Sequence, residues 1–364
     1  MPSMTQGRSA RAAPSRVGER PRTRILLITS LYPTADRPEA GPFVAQRVQA
    51  LRENGVDVRV VAAETYRHGG LRRHVGMLWT AVTARGPFDG VEGHVLFPAG
   101  LVAWLAARLR RIPLVVYAHG SDVTIAARRT PIHIVLAKVV ARGASRVVTN
   151  SADTASYVAA LGAEAIVISP GVDLERFRPG DRDAVRATLG IARGALLALY
   201  VGSLDTRKGA DVFAAALDRT PGWFGILVGT GELRPLLAAR YPRLRLEGAV
   251  APAAVPEWMV AADVVVVPSR REPLGLAAVE ALACGTPVIA SAVGGLRDVV
   301  RDGENGILVP PDDPTAISTA LTQLSDPAAR ASLSAAARLS VLGHDLRATT
   351  AAMAVVWRKL GVEM

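Results

Sequence analysis

Two glutamates, Glu272 and Glu280, stand eight residues apart in the stretch EPLGLAAVE, and their neighbours decide what chemistry the pair could perform. The apolar run ADVVVVP, ending at Pro268, reads as a buried parallel strand. It gives way to the polar turn Ser269 to Glu272, after which Pro273 and Gly275 open a helix that Gly285 closes. A second apolar strand, Pro287 to Ala290, leads to Gly294 and Gly295. This order puts Glu272 at the carboxyl edge of a sheet, where open α/β sheets bind ligands. The amides of Gly275, Leu276 and Ala277 lie in the first turn of that helix, which makes an anion site. Glu280 sits about two turns further in.

Geometry argues against a hydrolase pair. Eight helical residues rise about 12 Å, and Pro273 forces Glu272 into a more extended backbone. Glycosidase carboxylates lie roughly 5 to 9.5 Å apart. One carboxylate for each end of a long ligand, with phosphates resting on the helix between them, is the better reading. A nucleotide-sugar fits, with ribose hydroxyls donating to Glu280 and sugar hydroxyls to Glu272. Two solvated glutamates flanking an ordinary βαβ unit are the bland alternative.

The segment EPLGLxxVEALACGTPVIASxVGG, from Glu272 to Gly295, resembles the signature of the retaining nucleotide-sugar glycosyltransferases of family 4. Members of that family have the GT-B fold: α/β, two doubly wound Rossmann-like domains facing a cleft. The resemblance spans roughly residues 24 to 360 and is strongest from 200 to 310. It implies transfer of a sugar, such as a hexosyl group, from a nucleoside diphosphate to an acceptor hydroxyl with retention at the anomeric carbon.

Composition agrees with two globular domains: 364 residues, half of them apolar. The formal net charge is +11, of which residues 1–24 contribute +5 through six arginines and Glu19, leaving +6 for the body. That balance favours anionic substrates or membrane surfaces. No basic stripe interleaved with aromatics is present, which speaks against nucleic acid as a partner. Cys284 is alone in an apolar stretch and reads as a small buried residue. No apolar run is long enough to span a bilayer, and the first 23 residues lack the apolar segment of a secretory signal. They read as a disordered basic tail. A cytoplasmic protein is expected, with peripheral contact at the inner face of the membrane.

Along the chain, Arg24 to Ser30 reads as a first strand, and Gly41-Pro42 opens a helix that Gly55 ends. Gly41 is either a phosphate approach point or a structural turn. Leu101 to Arg111 is an apolar helix with a basic end, facing a core or touching a membrane. Strand Pro113 to Ala118 delivers His119-Gly-Ser-Asp122 to a carboxyl edge. HGSD resembles the first-domain histidine motif of family 4, which implies that His119 reaches the donor sugar while Asp122 holds the loop. The other histidines (His68, His74, His94, His133 and His344) show no ligand spacing, and no D-x-D triplet lies in a loop at a strand's carboxyl end. No metal and no cofactor are therefore expected.

Pro170 to Pro179 resembles the interdomain stretch of the family and is rich enough in Pro and Gly to read as a linker. With this resemblance the boundaries implied are a tail over 1–23, an acceptor-side domain over 24–180, a donor-binding domain over 181–344, and a helix over 345–364 crossing back to the first domain. In the second domain the loop Gly202 to Gly209 follows a strand and carries Ser203, Arg207 and Lys208. Lys208, one of three lysines, is either a point charge for a diphosphate or a surface lysine. By resemblance it matches the family's phosphate lysine, while Ser203 stands where an arginine is usual. Strand Trp223 to Val228 ends in Gly229-Thr-Gly231, a further tight turn at the same edge. The resulting assignment gives His119, Lys208 and Glu272 to catalysis, and Gly41, Ser203, Arg207, Gly229, Gly275, Leu276, Ala277 and Glu280 to the donor. The acceptor could be a glycan, a lipid-linked sugar or a small metabolite. A non-hydrolysing sugar-nucleotide epimerase and a catalytically inactive binding protein of the same fold are the rival readings.

Overall fold

The computed structural model describes residues 23–33, 41–63, 70–120, 130–169 and 171–364. The tail from residue 1 to 22, Asp122 and Pro170 lie outside the described residues.

Six strands build a first sheet: β1 (Arg24–Thr29), β2 (Asp57–Ala62), β3 (Gly90–His94), β4 (Leu114–Ala118), β5 (Arg146–Thr149) and β6 (Ala165–Val167). Six more build a second: β7 (Leu196–Val201), β8 (Trp223–Val228), β9 (Arg245–Gly248), β10 (Val264–Val267), β11 (Val288–Ser291) and β12 (Gly306–Val309). Their orders are β2-β1-β3-β4-β5-β6 and β12-β11-β10-β7-β8-β9. All pairings are parallel, as the unbroken apolar runs require. β10 shows why: its four valines are all buried, because helices cover both faces. These are the two doubly wound domains that the family resemblance implied.

In each sheet the chain reverses its direction of winding once, between β1 and β3 and between β7 and β10. Crossovers leave those strand pairs on opposite sides, so a crevice opens at their carboxyl ends. The loops after β1, β3 and β4 therefore face one crevice, and those after β7 and β10 face the other.

Several elements differ from the sequence reading. Helices Arg182–Thr188 and Arg234–Arg240 are too short to stand out, and in Pro131–Gly143 exposed apolar residues blur the helical periodicity. A turn of 3-10 helix, Pro252–Ala254, leads into helix Val255–Ala261. The stretch read as a linker is packed: Val172, Leu174 and Phe177 are buried in the core of the second sheet with Leu197 and Val265. Arg338 locks it there, donating to the carbonyls of Leu174, Phe177 and Ala283 at 3.0, 2.9 and 2.7 Å. Its apolar residues outweigh its Pro and Gly content. The last helix, Leu346–Arg358, buries Met353, Val356 and Trp357 in the first domain's core against Ile25, Val44 and Tyr117. No helix among the described residues is long and apolar enough to cross a membrane.

Candidate active site

The loop after β7 and the loop after β10 meet at the second crevice. Asp205 shapes the first by accepting a hydrogen bond from the Lys208 amide at 2.7 Å. The amide of Arg270 donates to the Arg207 carbonyl at 2.9 Å, which joins the two loops. The Arg270 guanidinium grips Asp211 in two hydrogen bonds of 2.8 Å, reaches Asp312 at 2.6 Å and donates to the Thr206 carbonyl at 2.6 Å. Nothing in the sequence reading flagged Arg270, and its signal is weak: an arginine beside a strand end is common.

This frame brings the Lys208 ammonium to within 2.5 Å of the Glu272 carboxylate, bridging the point where the strand order reverses. Glu272 is 6 % exposed and also accepts from the Ser269 hydroxyl at 3.2 Å. Burial alone would raise its pKa. The Lys208 charge and hydrogen bond, helped by the Gly275 amide, more than offset that and hold the carboxyl below its usual value. Gly275 caps helix Leu276–Ala283 in the left-handed region at φ 72°, so its amide serves Glu272 while Leu276 and Ala277 begin the helix. The anion site is thus partly engaged by the protein's own carboxylate, a difference from the expectation of three open amides.

Glu280, in the second turn of the same helix, is only partly exposed. Burial pushes its carboxyl up to about 7, and the charges of Arg176 and Lys208 only partly counter that. Arg176 comes from the packed interdomain stretch and was not anticipated. The Lys208 charge thus acts on both glutamates. Ser203 lies on the same loop, where its carbonyl accepts from the Tyr200 hydroxyl at 2.6 Å. Arg207 is loosely held, 3.5 Å from Asp205. Gly229 has a packing reason of its own: a Cβ there would lie 1.9 Å from the Gly202 carbonyl oxygen.

On the first domain, Gly41 caps helix Pro42–Glu53, set close against the Leu31 backbone. His119 is 4 % exposed and part of a buried polar chain. Arg47 pairs with Glu92 through both guanidinium and carboxylate arms, the second at 2.8 Å. Glu92 lies 3.1 Å from His94 Nε2, and His94 Nδ1 lies 2.9 Å from His119 Nε2. Burial opposes the charge on Glu92, but Arg47 and His94 overcome it and keep the carboxyl far below its ordinary range. Glu92 can then only accept, so His94 Nε2 carries the proton. Burial lowers the pKa of both imidazoles, so each is neutral at neutral pH. His94 Nδ1 is thus an acceptor, and His119 Nε2 donates to it. Tyr117 stacks on both rings at 5.3 and 5.5 Å. The sequence reading passed over Glu92 and His94. The signal was their two-residue spacing in the buried strand Gly90–His94, which puts both on one face.

The domains meet closely. A cavity of about 150 Å³ between them is lined by Gly120, Thr154, Glu272, Pro273 and Gly294. His119 instead lines a neighbouring cavity with Phe43, Tyr117 and Thr349. Of the histidine motif, Gly120 lines the Glu272 cavity and His119 the neighbouring one. Among the described residues no three His, Cys, Asp or Glu side chains gather as a metal site.

Comparison with known proteins accounts for this arrangement. Residues 22–171 match a family described as "Glycosyl transferase 4-like domain", and residues 195–326 match "Glycosyl transferases group 1". A D-inositol 3-phosphate glycosyltransferase of Catenulispora acidiphila is 37 % identical over 311 residues, 76 % of this chain and 74 % of the relative. Sucrose-phosphate synthase from Thermosynechococcus elongatus superposes with a TM-score of 0.83 at 26 % identity, over 93 % of this chain and 99 % of that one. Anabaena HepE, solved in complex with UDP, superposes with a TM-score of 0.75 at 22 % identity, over 93 % and 100 %. Both halves of the chain match, and a relative this similar spans most of either sequence: the protein belongs to the group 1 (family 4) glycosyltransferases, enzymes with a GT-B fold that transfer sugar from nucleotide-sugar donors.

Proposed function

We propose that this chain transfers a hexosyl or related sugar from a nucleoside diphosphate to an acceptor hydroxyl, with retention at the anomeric carbon and without a metal ion. The observation that carries the reading is the Lys208–Glu272 pair at the reversal of strand order, with Glu280 on the same helix. A diphosphate entering the crevice takes Glu272's place beside Lys208, and the ammonium stabilises charge on the leaving phosphate. Released from the pair, the Glu272 carboxylate is free to accept from sugar hydroxyls. Ribose hydroxyls donate to Glu280, whose raised pKa falls toward the ordinary value as they do so. Gly41, Ser203, Arg207 and Gly229 complete the donor surface by their positions at the two crevices. His119 contributes from the first domain, at the carboxyl end of its strand.

UDP-glucose, bound by Anabaena HepE, is the first donor to examine. D-inositol 3-phosphate, named for the relatives, is the first small-metabolite acceptor, beside glycans and lipid-linked sugars. The reading places the chain in the cytoplasm, with peripheral contact at the inner face of the membrane. Transfer measured with excess EDTA tests it: full activity with an α-linked product from an α-linked donor is expected. Activity lost on chelation and restored by magnesium, or an inverted product, would overturn the corresponding part.

A further inference from the structure

Three helices cover one face of the first sheet: Gly70–Thr83, Ala99–Arg110 and Pro131–Gly143. They pack in a row with Ala99–Arg110 in the middle. Gly143 lies so close to Trp104 that a Cβ would sit 2.2 Å from its indole nitrogen. Arg110 clasps the end of the first helix by donating to the Ala81 and Ala84 carbonyls at 3.1 and 2.6 Å.

The outer surface of this row is unusual in two independent ways. Eight of the fourteen exposed large hydrophobic side chains among the described residues lie on these helices. Val75, Trp79 and Val82 form a stripe at helical spacing, with Trp79 71 % exposed. Ile132, Val135 and Val139 form another, and Leu109 lies on the helix between. Secondly, the three helices contain no Asp or Glu, while they carry Arg72, Arg73, Arg108, Arg110, Lys138 and Arg142. Arg72, Arg108 and Arg142 are exposed, as is Arg111 just beyond the middle helix.

We propose that this helical row is a docking surface for an anionic lipid bilayer. Charge complementarity selects the occupant: a surface with cations and no anions meets anionic headgroups, while apolar side chains and an indole enter the headgroup boundary. A second copy of the same face would bring like charges together. The chain's own amino-terminal tail is arginine-rich and has no apolar segment to cover these stripes. The orientation suits the enzyme, because helix Pro131–Gly143 begins at the carboxyl edge of the sheet, on the side of the crevice. This extends the peripheral placement given above, yet rests on observations independent of sugar transfer.

Vesicle flotation of the full chain tests the surface with no substrate present, so its failure leaves the transfer reading standing. The protein floats with vesicles containing about a third phosphatidylglycerol and not with pure phosphatidylcholine, and its tryptophan emission shifts to the blue. Trp223, Trp258 and Trp357 are already buried, so that shift reports chiefly on exposed Trp79, with half-buried Trp104 the lesser contributor. Trp79→Ser with Val135→Ser preserves every charge and should weaken binding at least tenfold while leaving the melting temperature unchanged, since both residues are exposed. Trp79→Phe should retain flotation and lose most of the shift. Flotation undiminished in the double variant would assign binding to the arginine-rich tail and overturn the proposal. Absence of flotation in the unaltered protein would do so too. A dimer that the double substitution dissociates, without lipid binding, would give the face to a second copy instead.

Discussion

Lys208 and Glu272 form a partly buried ion pair, and such pairs are asymmetric: removing one member leaves the other charged and unpaired, which costs about 3–5 kcal/mol when fully buried. Lys208→Ala should therefore slow transfer by roughly two orders of magnitude and also lower the melting temperature. Arg207→Ala, which loses only a long contact to Asp205, should cost much less on both counts. Steady-state kinetics beside thermal melts would separate the two, and equal effects would move the phosphate role to Arg207. Glu280 carries a pH signature. Its folded carboxyl is raised to about 7, above the unfolded value near 4.3, so the native state holds the extra proton between those limits. Stability is then highest at the acid end of that window and falls as pH rises through it. Glu280→Gln should stabilise the ligand-free protein at pH 8, on the order of 2 kcal/mol after allowing for partial exposure, and hardly at pH 5. An equal gain at both values would contradict burial as the cause. Glu272 and Lys208 were legible because each precedes a proline or glycine in a loop after a strand, and Glu280 because of its eight-residue spacing from Glu272. Glu92 and His94 were not, since polar residues alternating on a strand read as its solvent face until their partner, Arg47 on another element, is seen.

At the scale of elements, the site depends on loops held within contact distance of one another. Gly229→Ala puts a methyl group where the Gly202 carbonyl lies and must push aside the loop bearing Ser203, Arg207 and Lys208. Because the φ of 140° already disfavours a side chain there, a loss of about 1–3 kcal/mol is expected, with donor binding weakened at least tenfold. Calorimetric titration with nucleoside diphosphate checks it; unchanged affinity would mean the two loops move independently. Strands were readable wherever valine and isoleucine ran unbroken, as in β10, and helix starts wherever Gly preceded the apolar turn, as at Gly275. Helix Pro131–Gly143 escaped because exposed Ile132, Val135 and Val139 blur its apolar periodicity. The bland reading of Gly229 as a turn was also incomplete: its need for glycine comes from a different strand's loop, which spacing along the chain does not reveal.

At the scale of the whole molecule, the two domains are joined twice. The packed stretch Val172 to Phe177 enters the second core, while helix Leu346–Arg358 returns to the first and buries Trp357 completely. Sequence composition suggested a hinge at the first join because Pro and Gly count alike in flexible and in packed segments; only the partners of Leu174 and Phe177 distinguish them. Between the joins, Gly120 faces Pro273 so closely that a Cβ would lie 2.7 Å from the proline Cβ. The intervening cavity of about 150 Å³ is smaller than the roughly 300 Å³ at which ligand sites begin. Donor entry is therefore expected to part the domains, and transfer to bring them together. Gly120→Ala wedges them open and should lower kcat about tenfold or more, with nucleoside diphosphate affinity unchanged because the phosphate groups belong to the second domain. A parallel loss of that affinity would show that the wedge distorts the site itself.

The central claim, that the Lys208–Glu272 crevice and Glu280 hold the two ends of a nucleotide-sugar, is tested most directly by calorimetric titration of UDP, GDP and ADP in EDTA. One of the three should bind to the unaltered chain, with affinity reduced at least tenfold in Glu280→Ala and in Lys208→Ala. Binding of none, or binding that survives both substitutions intact, would contradict the account.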